Sequence, residues 1–177
     1  MCRLLEIRVF TVIYYLCSTS HIKGRRPTSS RISKMFESLF NKYPFFRAIP
    51  AILCMAIIFK LSSMTGDDLK DFPHVWDKLA HTCEYATLCG CFAMWWTRNE
   101  WSRRQWLRVL VVVGLTLAYG CTDEFHQRFV EGRSCDAMDL VADTIGGLVG
   151  GTVYAFIVRI LNKYDPVNQD TEASCER

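Results

Sequence analysis

Two strongly apolar segments, residues 106–118 and 140–161, bracket a stretch of the opposite character. Residues 119–143 read YGCTDEFHQRFVEGRSCDAMDLVAD. They carry Asp123, Glu124, His126, Gln127, Arg128, Glu131, Arg133, Asp136, Asp139 and Asp143. This pattern leaves few folds open. In hydrocarbon every backbone amide and carbonyl has to be paired internally, so long apolar segments cross as helices. Charged groups between them must reach water or face one another. The stretch therefore reads as most of a polar site at a membrane surface.

Composition agrees. The chain has 177 residues, of which 50% are hydrophobic, too apolar for disorder and suited to one domain. The net charge of +3 is modest. Its basic residues stand in short groups beside apolar runs rather than in one stripe, which argues against nucleic acid and for membrane topology. The nine cysteines include no CxxC pair. Zinc-ribbon spacing is absent, and an odd count within apolar runs argues against a secreted disulfide framework. They read as small buried hydrophobes, with Cys135 in the polar stretch as a candidate reactive thiol.

Residues 1–43 form a basic amino-terminal extension. Its apolar run, residues 9–17, is too short for a bilayer, which needs about 20 residues. Residues 21–34 are basic and serine-rich, as a flexible linker is. Met35 is a second candidate start, which would make everything before it an extension. Four spans are expected next, at 45–63, 73–96, 106–121 and 139–161. Pro50 suits the first turn of the first span. Asp77, Lys78, His81 and Glu84 load the first half of the second. Residues 164–177 are a polar tail that reads as disordered.

Lysine and arginine set the orientation. They cluster before the first span, between the second and third (Arg98, Arg103, Arg104, Arg108) and after the fourth (Arg159, Lys163). The first-to-second connection is acidic, with Asp67, Asp68 and Asp71 against Lys70. The expectation is an all-α integral membrane bundle of four transmembrane helices, residues 44–163, with both termini cytoplasmic. Ser62 and Ser63, then Asp77, Lys78 and His81, then Asp123 and Glu124, then Asp139 and Asp143 all fall at its outer end.

Spacing sharpens this. Asp77, His81 and Tyr85 recur every four residues and share a helix face, as do Asp139 and Asp143. A lone histidine there would read as a packing residue, and Asp139 alone as a helix cap worth about 1 kcal/mol. Their joint placement favours one site, with Lys78, Arg128 and Arg133 as available partners. Gly146–Gly150 and Gly147–Gly151 are GxxxG pairs that pack the fourth span against a neighbour. Gly132 permits a turn that aims Arg133.

The run Asp123-Glu124-x-His126-Gln127-x-Phe129-Val130-x-Gly132-Arg133, followed by Asp136, Asp139, Asp143 and Gly146, resembles the signature of the VanZ-like membrane protein family. Asp77-Lys78-x-x-His81 and Ser62-Ser63 resemble its two earlier motifs. The resemblance covers about 45–161. It departs at Glu131, where the family's run is expected to carry proline, and it has no counterpart for residues 1–34. It implies a four-helix integral membrane protein, and the family's namesake is linked to low-level resistance to the glycopeptide teicoplanin.

Three functions fit these residues. The first is chemistry on a phosphate or sugar of a lipid-linked molecule. Asp77, His81, Asp123, Glu124 and His126 are the catalytic candidates, with His81 or His126 as acid or base and Asp123 and Glu124 as orienters. Lys78, Gln127, Arg133, Asp136, Asp139, Asp143 and Ser63 are the binding candidates, with Arg133 as an anion clamp. The second is binding without chemistry, of a membrane lipid, a lipid-linked envelope precursor or a glycopeptide. The third is a small transporter or a divalent-cation site, for which the carboxylate excess speaks. The residues name no cofactor. The compartment expected is the cell membrane, which is the inner membrane if the source is Gram-negative.

Overall fold

Helix starts and stops follow from a few residues. The computed structural model describes residues 43–69 and 74–164. The candidate start Met35, the extension before Tyr43, residues Lys70, Asp71 and Pro73, and the tail beyond Tyr164 lie outside them. After a single turn of tighter helix at Pro44–Ala48, α1 runs Ile49–Ser62, with Pro50 in its first turn. A proline there surrenders an amide that has no intrahelical partner anyway. A short turn at Gly66–Leu69 follows. Next, α2 spans His74–Ala93.

The short α3, Arg98–Arg103, was not anticipated from the residues. Thr97 accepts the Glu100 amide while the Glu100 carboxylate accepts the Thr97 amide at 2.8 Å, a reciprocal cap. This pairing holds the Glu100 carboxyl below its ordinary range. The third long helix, α4, spans Gln105–Gln127, and α5 spans Ala137–Tyr164. The third span was expected to end at 121. It continues for another turn and a half, because no glycine or proline interrupts the chain before Gly132. The first part of the polar stretch is therefore helix, not connection.

Cross-helix contacts fix the directions. Lys78, His81, Thr82 and Ala86 meet Asp139, Asp143, Gly146 and Gly150 in the same order, so α2 and α5 are parallel. Gly147 and Gly151 meet Thr116 and Val109 in reverse order, so α4 and α5 are antiparallel. Tyr119 Oη donates to the Met55 carbonyl at 2.7 Å, and Phe59 stacks on His126, so α1 runs alongside α4. The bundle is thus up–down–up–down.

The two glycine pairs serve different neighbours. A Cβ on Gly146 would lie 2.4 Å from the Thr82 carbonyl oxygen, and one on Gly150 2.3 Å from that of Ala86. That pair seats α5 against the α2 backbone. Gly147 and Gly151 instead face side chains, those of Val109, Val113 and Thr116 on α4 and, at Gly151, also Cys89 of α2. Beyond these lies a hydrophobic cluster of Cys89, Ala93, Trp101, Val109, Val112, Ala155 and Val158. A second cluster joins Ile58, Tyr85 and Leu88.

Three segments, Phe45–Ser62, Gln105–Gln127 and Ala137–Lys163, are long and apolar enough to cross a membrane. Their outward faces are apolar too: Ile52, Leu53, Ile57, Leu107, Leu110, Val149, Val153 and Phe156 are all exposed. An unpartnered apolar surface of that extent belongs against lipid. Helix α2 does not qualify on composition, because Asp77, Lys78, His81 and Glu84 dilute it.

Candidate functional site

The polar residues meet at one end of the bundle, supplied by the C-terminal ends of α1 and α4 and the N-terminal ends of α2 and α5. Position along each helix is what assembles them. Helical spacing then turns Asp77 and His81 of α2, and Asp139 and Asp143 of α5, toward one another.

His81 is at the centre. It is buried, and its Nδ1 lies 2.9 Å from Asp143 Oδ1. A carboxylate only accepts, so Nδ1 is the donor of this pair and Nε2 is the ring nitrogen left for another partner. Tyr85 lies one turn further along α2, stacked on His81 with ring centroids 6.1 Å apart. Asp143 is fully enclosed, and a Cβ on Gly120 would lie 2.8 Å from its Oδ2. Gly120 thus leaves room for that carboxylate.

Asp123 and Glu124 approach from α4, both buried. Asp123 Oδ2 accepts from Gln127 Nε2 at 3.2 Å. Glu124 Oε2 accepts from the Asp136 amide at 3.0 Å. Each carboxylate of this inner group therefore has one oxygen tethered. The other oxygens, Asp123 Oδ1, Glu124 Oε1 and Asp143 Oδ2, are buried and have no hydrogen-bond partner among the described residues. Ser62 Oγ and Tyr85 Oη are in the same condition. A buried polar atom left unpaired costs about 1–3 kcal/mol, so several in one place are a feature to be explained.

Around this core, ion pairs close the site. Lys78 Nζ lies 2.6 Å from Asp136 Oδ2 and also reaches Asp139 Oδ1. Arg133 Nη1 lies 3.6 Å from Asp77 Oδ1. Asp136 Oδ1 also accepts the Met138 amide at 2.9 Å, which makes Asp136 the cap of α5. The capping role considered for Asp139 belongs to Asp136, and Asp139 serves Lys78 instead. Six carboxylates (Asp77, Asp123, Glu124, Asp136, Asp139, Asp143) face two full cations, Lys78 and Arg133, so negative charge is in excess.

His126 stands apart. Its Nε2 is 3.0 Å from Ser63 Oγ, which itself donates to the Phe59 carbonyl at 2.7 Å, and its ring stacks on Phe59. On α4 it lies two residues past Glu124, on a different face from the buried acids. The two histidines are thus divided between a buried core and a half-buried rim. Arg128, offered as a partner, is exposed. Cys135 is exposed beside Glu124, and desolvation and that carboxylate hold its thiol above the ordinary value, against a reactive thiolate.

One contact at this end left little trace in the residues. The Gly66 amide donates to the Glu131 carbonyl at 3.0 Å, and a Cβ on Gly66 would lie 2.2 Å from the Gly132 carbonyl oxygen. Gly132 has φ +73°, a conformation other residues resist. Two glycines thus clasp the loop after α1 to the loop before α5. The sequence marks Gly132 as a turn, whereas nothing in it marks Gly66 as its partner.

Residues 9–159 match the VanZ/LLP1 family. The chain belongs to that family. The match takes in α1, α2, α4 and α5 as far as Arg159, with every residue of the site just described, and it reaches further toward the amino terminus than the motifs alone. No curated protein and no solved structure matches the chain. Family membership and the three apolar helices together make this a VanZ-like multi-pass membrane protein.

Proposed function

We propose that this VanZ-like protein crosses the cell membrane four times. Its acid–histidine site, at the outer end, would bind or act on the polar part of a membrane lipid or lipid-linked cell-envelope precursor. Helix α2 is the fourth crossing. Its charges do not forbid this, because Lys78 and His81 turn toward α5 and Asp77 toward Arg133 in the loop before it, and intramembrane ionisable groups persist when they pair inward. The opposite end carries Arg103, Arg104, Arg108, Arg159 and Lys163, which supports cytoplasmic termini.

The observation that carries the functional reading is the buried His81–Asp143 pair surrounded by unpartnered carboxylate oxygens. A histidine held by a carboxylate through Nδ1 presents Nε2 to a proton of a reacting group. Carboxylate oxygens accept from hydroxyl and amine groups, which headgroups and sugars supply. Acting on an envelope precursor would also connect the site to glycopeptide susceptibility.

The test uses purified full-length protein in nanodiscs made with labelled lipid extract. The expected result is saturable retention or conversion of a lipid species by the wild type, lost in His81→Gln and Asp143→Asn. Equal retention by wild type and both variants, with no product from any, would remove the reading. Fusion of a periplasmic reporter after Arg128 tests the orientation, and an inactive reporter there would reverse it.

A further inference from the structure

We infer that His81, Asp123 and Glu124 form a binding site for a divalent transition-metal cation. One donor atom from each of the three lies within 4.8 Å of the other two, and all three side chains are buried. A second group, Asp77, His81 and Asp139, meets the same distance limit and shares the histidine.

Proximity of acids is common and proves little. The tethering is what points to a ligand. Asp123 and Glu124 each have one oxygen fixed, by Gln127 and by the Asp136 amide, and the other oxygen buried and unpartnered. His81 has Nδ1 fixed by Asp143 and Nε2 left over. Each of the three is therefore oriented by a second residue and offers a single remaining donor. Metal ligands are held in this way, with a carboxylate on the far nitrogen of the histidine and hydrogen bonds on the distal carboxylate oxygens.

Charge and chemistry then choose the ion. Neutral imidazole with two carboxylates carries two negative charges, which one divalent cation cancels. The imidazole ligand suits Zn²⁺ and the two carboxylates also admit Mn²⁺, whereas Ca²⁺ and Mg²⁺ favour oxygen alone. Three protein ligands leave coordination positions open, as in sites where a metal meets water or a substrate oxygen. A cation there would also let so acidic a pocket receive a phosphate. Bound there, the ion takes the Nε2 that would otherwise meet a proton of the ligand, so the metal site stands apart from the headgroup reading: it survives if no lipid binds, and it fails on metal binding alone.

The experiment is a titration of chelator-stripped, full-length protein with Mn²⁺, followed by the loss of the free-ion EPR signal, with Zn²⁺ as competitor. Wild type is expected to remove Mn²⁺ saturably and to release it to Zn²⁺. The Asp123→Asn/Glu124→Gln double variant should lose the site. Asp143→Asn, which touches only the orienting carboxylate, should weaken it by about 10–100-fold. Glu131→Gln, an exposed acid nearby, should bind as wild type does. Monodisperse elution and unchanged helicity qualify each variant, and Asp143→Asn decides if the double variant does not fold. A wild type that leaves the Mn²⁺ signal untouched and gains no thermal stability from Zn²⁺ would overturn the site. So would variants that bind as tightly as wild type.

Discussion

The two ends of this bundle share the four long helices, with the short α3 added at one of them, and obey different rules. At one end Trp101 is fully buried among Trp96, Tyr154 and the Cys89–Val158 cluster, with its ring at 70° to that of Tyr154. Polar groups there find ordinary partners. Gln105 donates to the Ala155 carbonyl and accepts from Arg159, and Arg108 lies over the Trp96 ring. The buried atoms left over are donors, Trp101 Nε1 and Arg108 Nη1, beside aromatic rings that accept weakly. At the other end nearly all the leftover atoms are oxygens, gathered around one histidine. The first end is arranged for stability. The second carries an electrostatic cost that packing does not explain, which is the mark of a site kept for function.

That contrast can be broken by substitution. Trp101→Ala should cost most, about 3–5 kcal/mol, since it empties the centre of the aromatic cluster. Denaturant titration in mixed micelles measures it, and a loss under 1 kcal/mol would deny that end its structural role. Gly146→Ala should follow at about 1–3 kcal/mol, because its new methyl meets the Thr82 backbone, which cannot rotate away. The reverse sign is expected of Asp123→Asn. In metal-free protein it removes a buried charge while keeping an acceptor for Gln127, and should raise stability by about 1 kcal/mol as it abolishes function. A clear destabilisation would place Asp123 with the structural residues.

The smallest effect should be Glu100→Gln at the aromatic end, about 0.5 kcal/mol, as for an exposed cap. Its pH dependence sharpens the comparison. The folded state depresses this carboxyl, so its contribution is present above the ordinary carboxylate pKa and is lost as pH falls through the folded value. The gap between wild type and Glu100→Gln should therefore close on acidification, followed by thermal melts across the acid range.

Much of this was legible in the residues, for reasons that differ by region. The apolar segments and the GxxxG pairs follow from composition and spacing, and the all-helical fold with them. The grouping of Asp77, His81, Asp123, Glu124, Asp139 and Asp143 at one end follows from their places near helix ends. What stayed hidden depends on rotation about the helix axes. That His126 sits at the rim with Ser63 while His81 lies in the core is a matter of about 100° per residue on a helix that runs beyond its apolar stretch. The handover of capping from Asp139 to Asp136 turns on where α5 starts. The use of the two glycine pairs against two different helices needed the bundle's order, which no local pattern encodes.

The notch at Gly146 and Gly150 has a consequence well beyond close packing. It works as a ratchet tooth between α5 and α2. Were α5 to turn and shift by one residue so that Ile145 and Val149 took the places of Gly146 and Gly150, their side chains would meet the Thr82 and Ala86 carbonyls and force the helices apart. The register that brings Asp143 to His81 is thus set by two residues with no side chain, and mutations that silence the protein can arise where there is no chemistry at all.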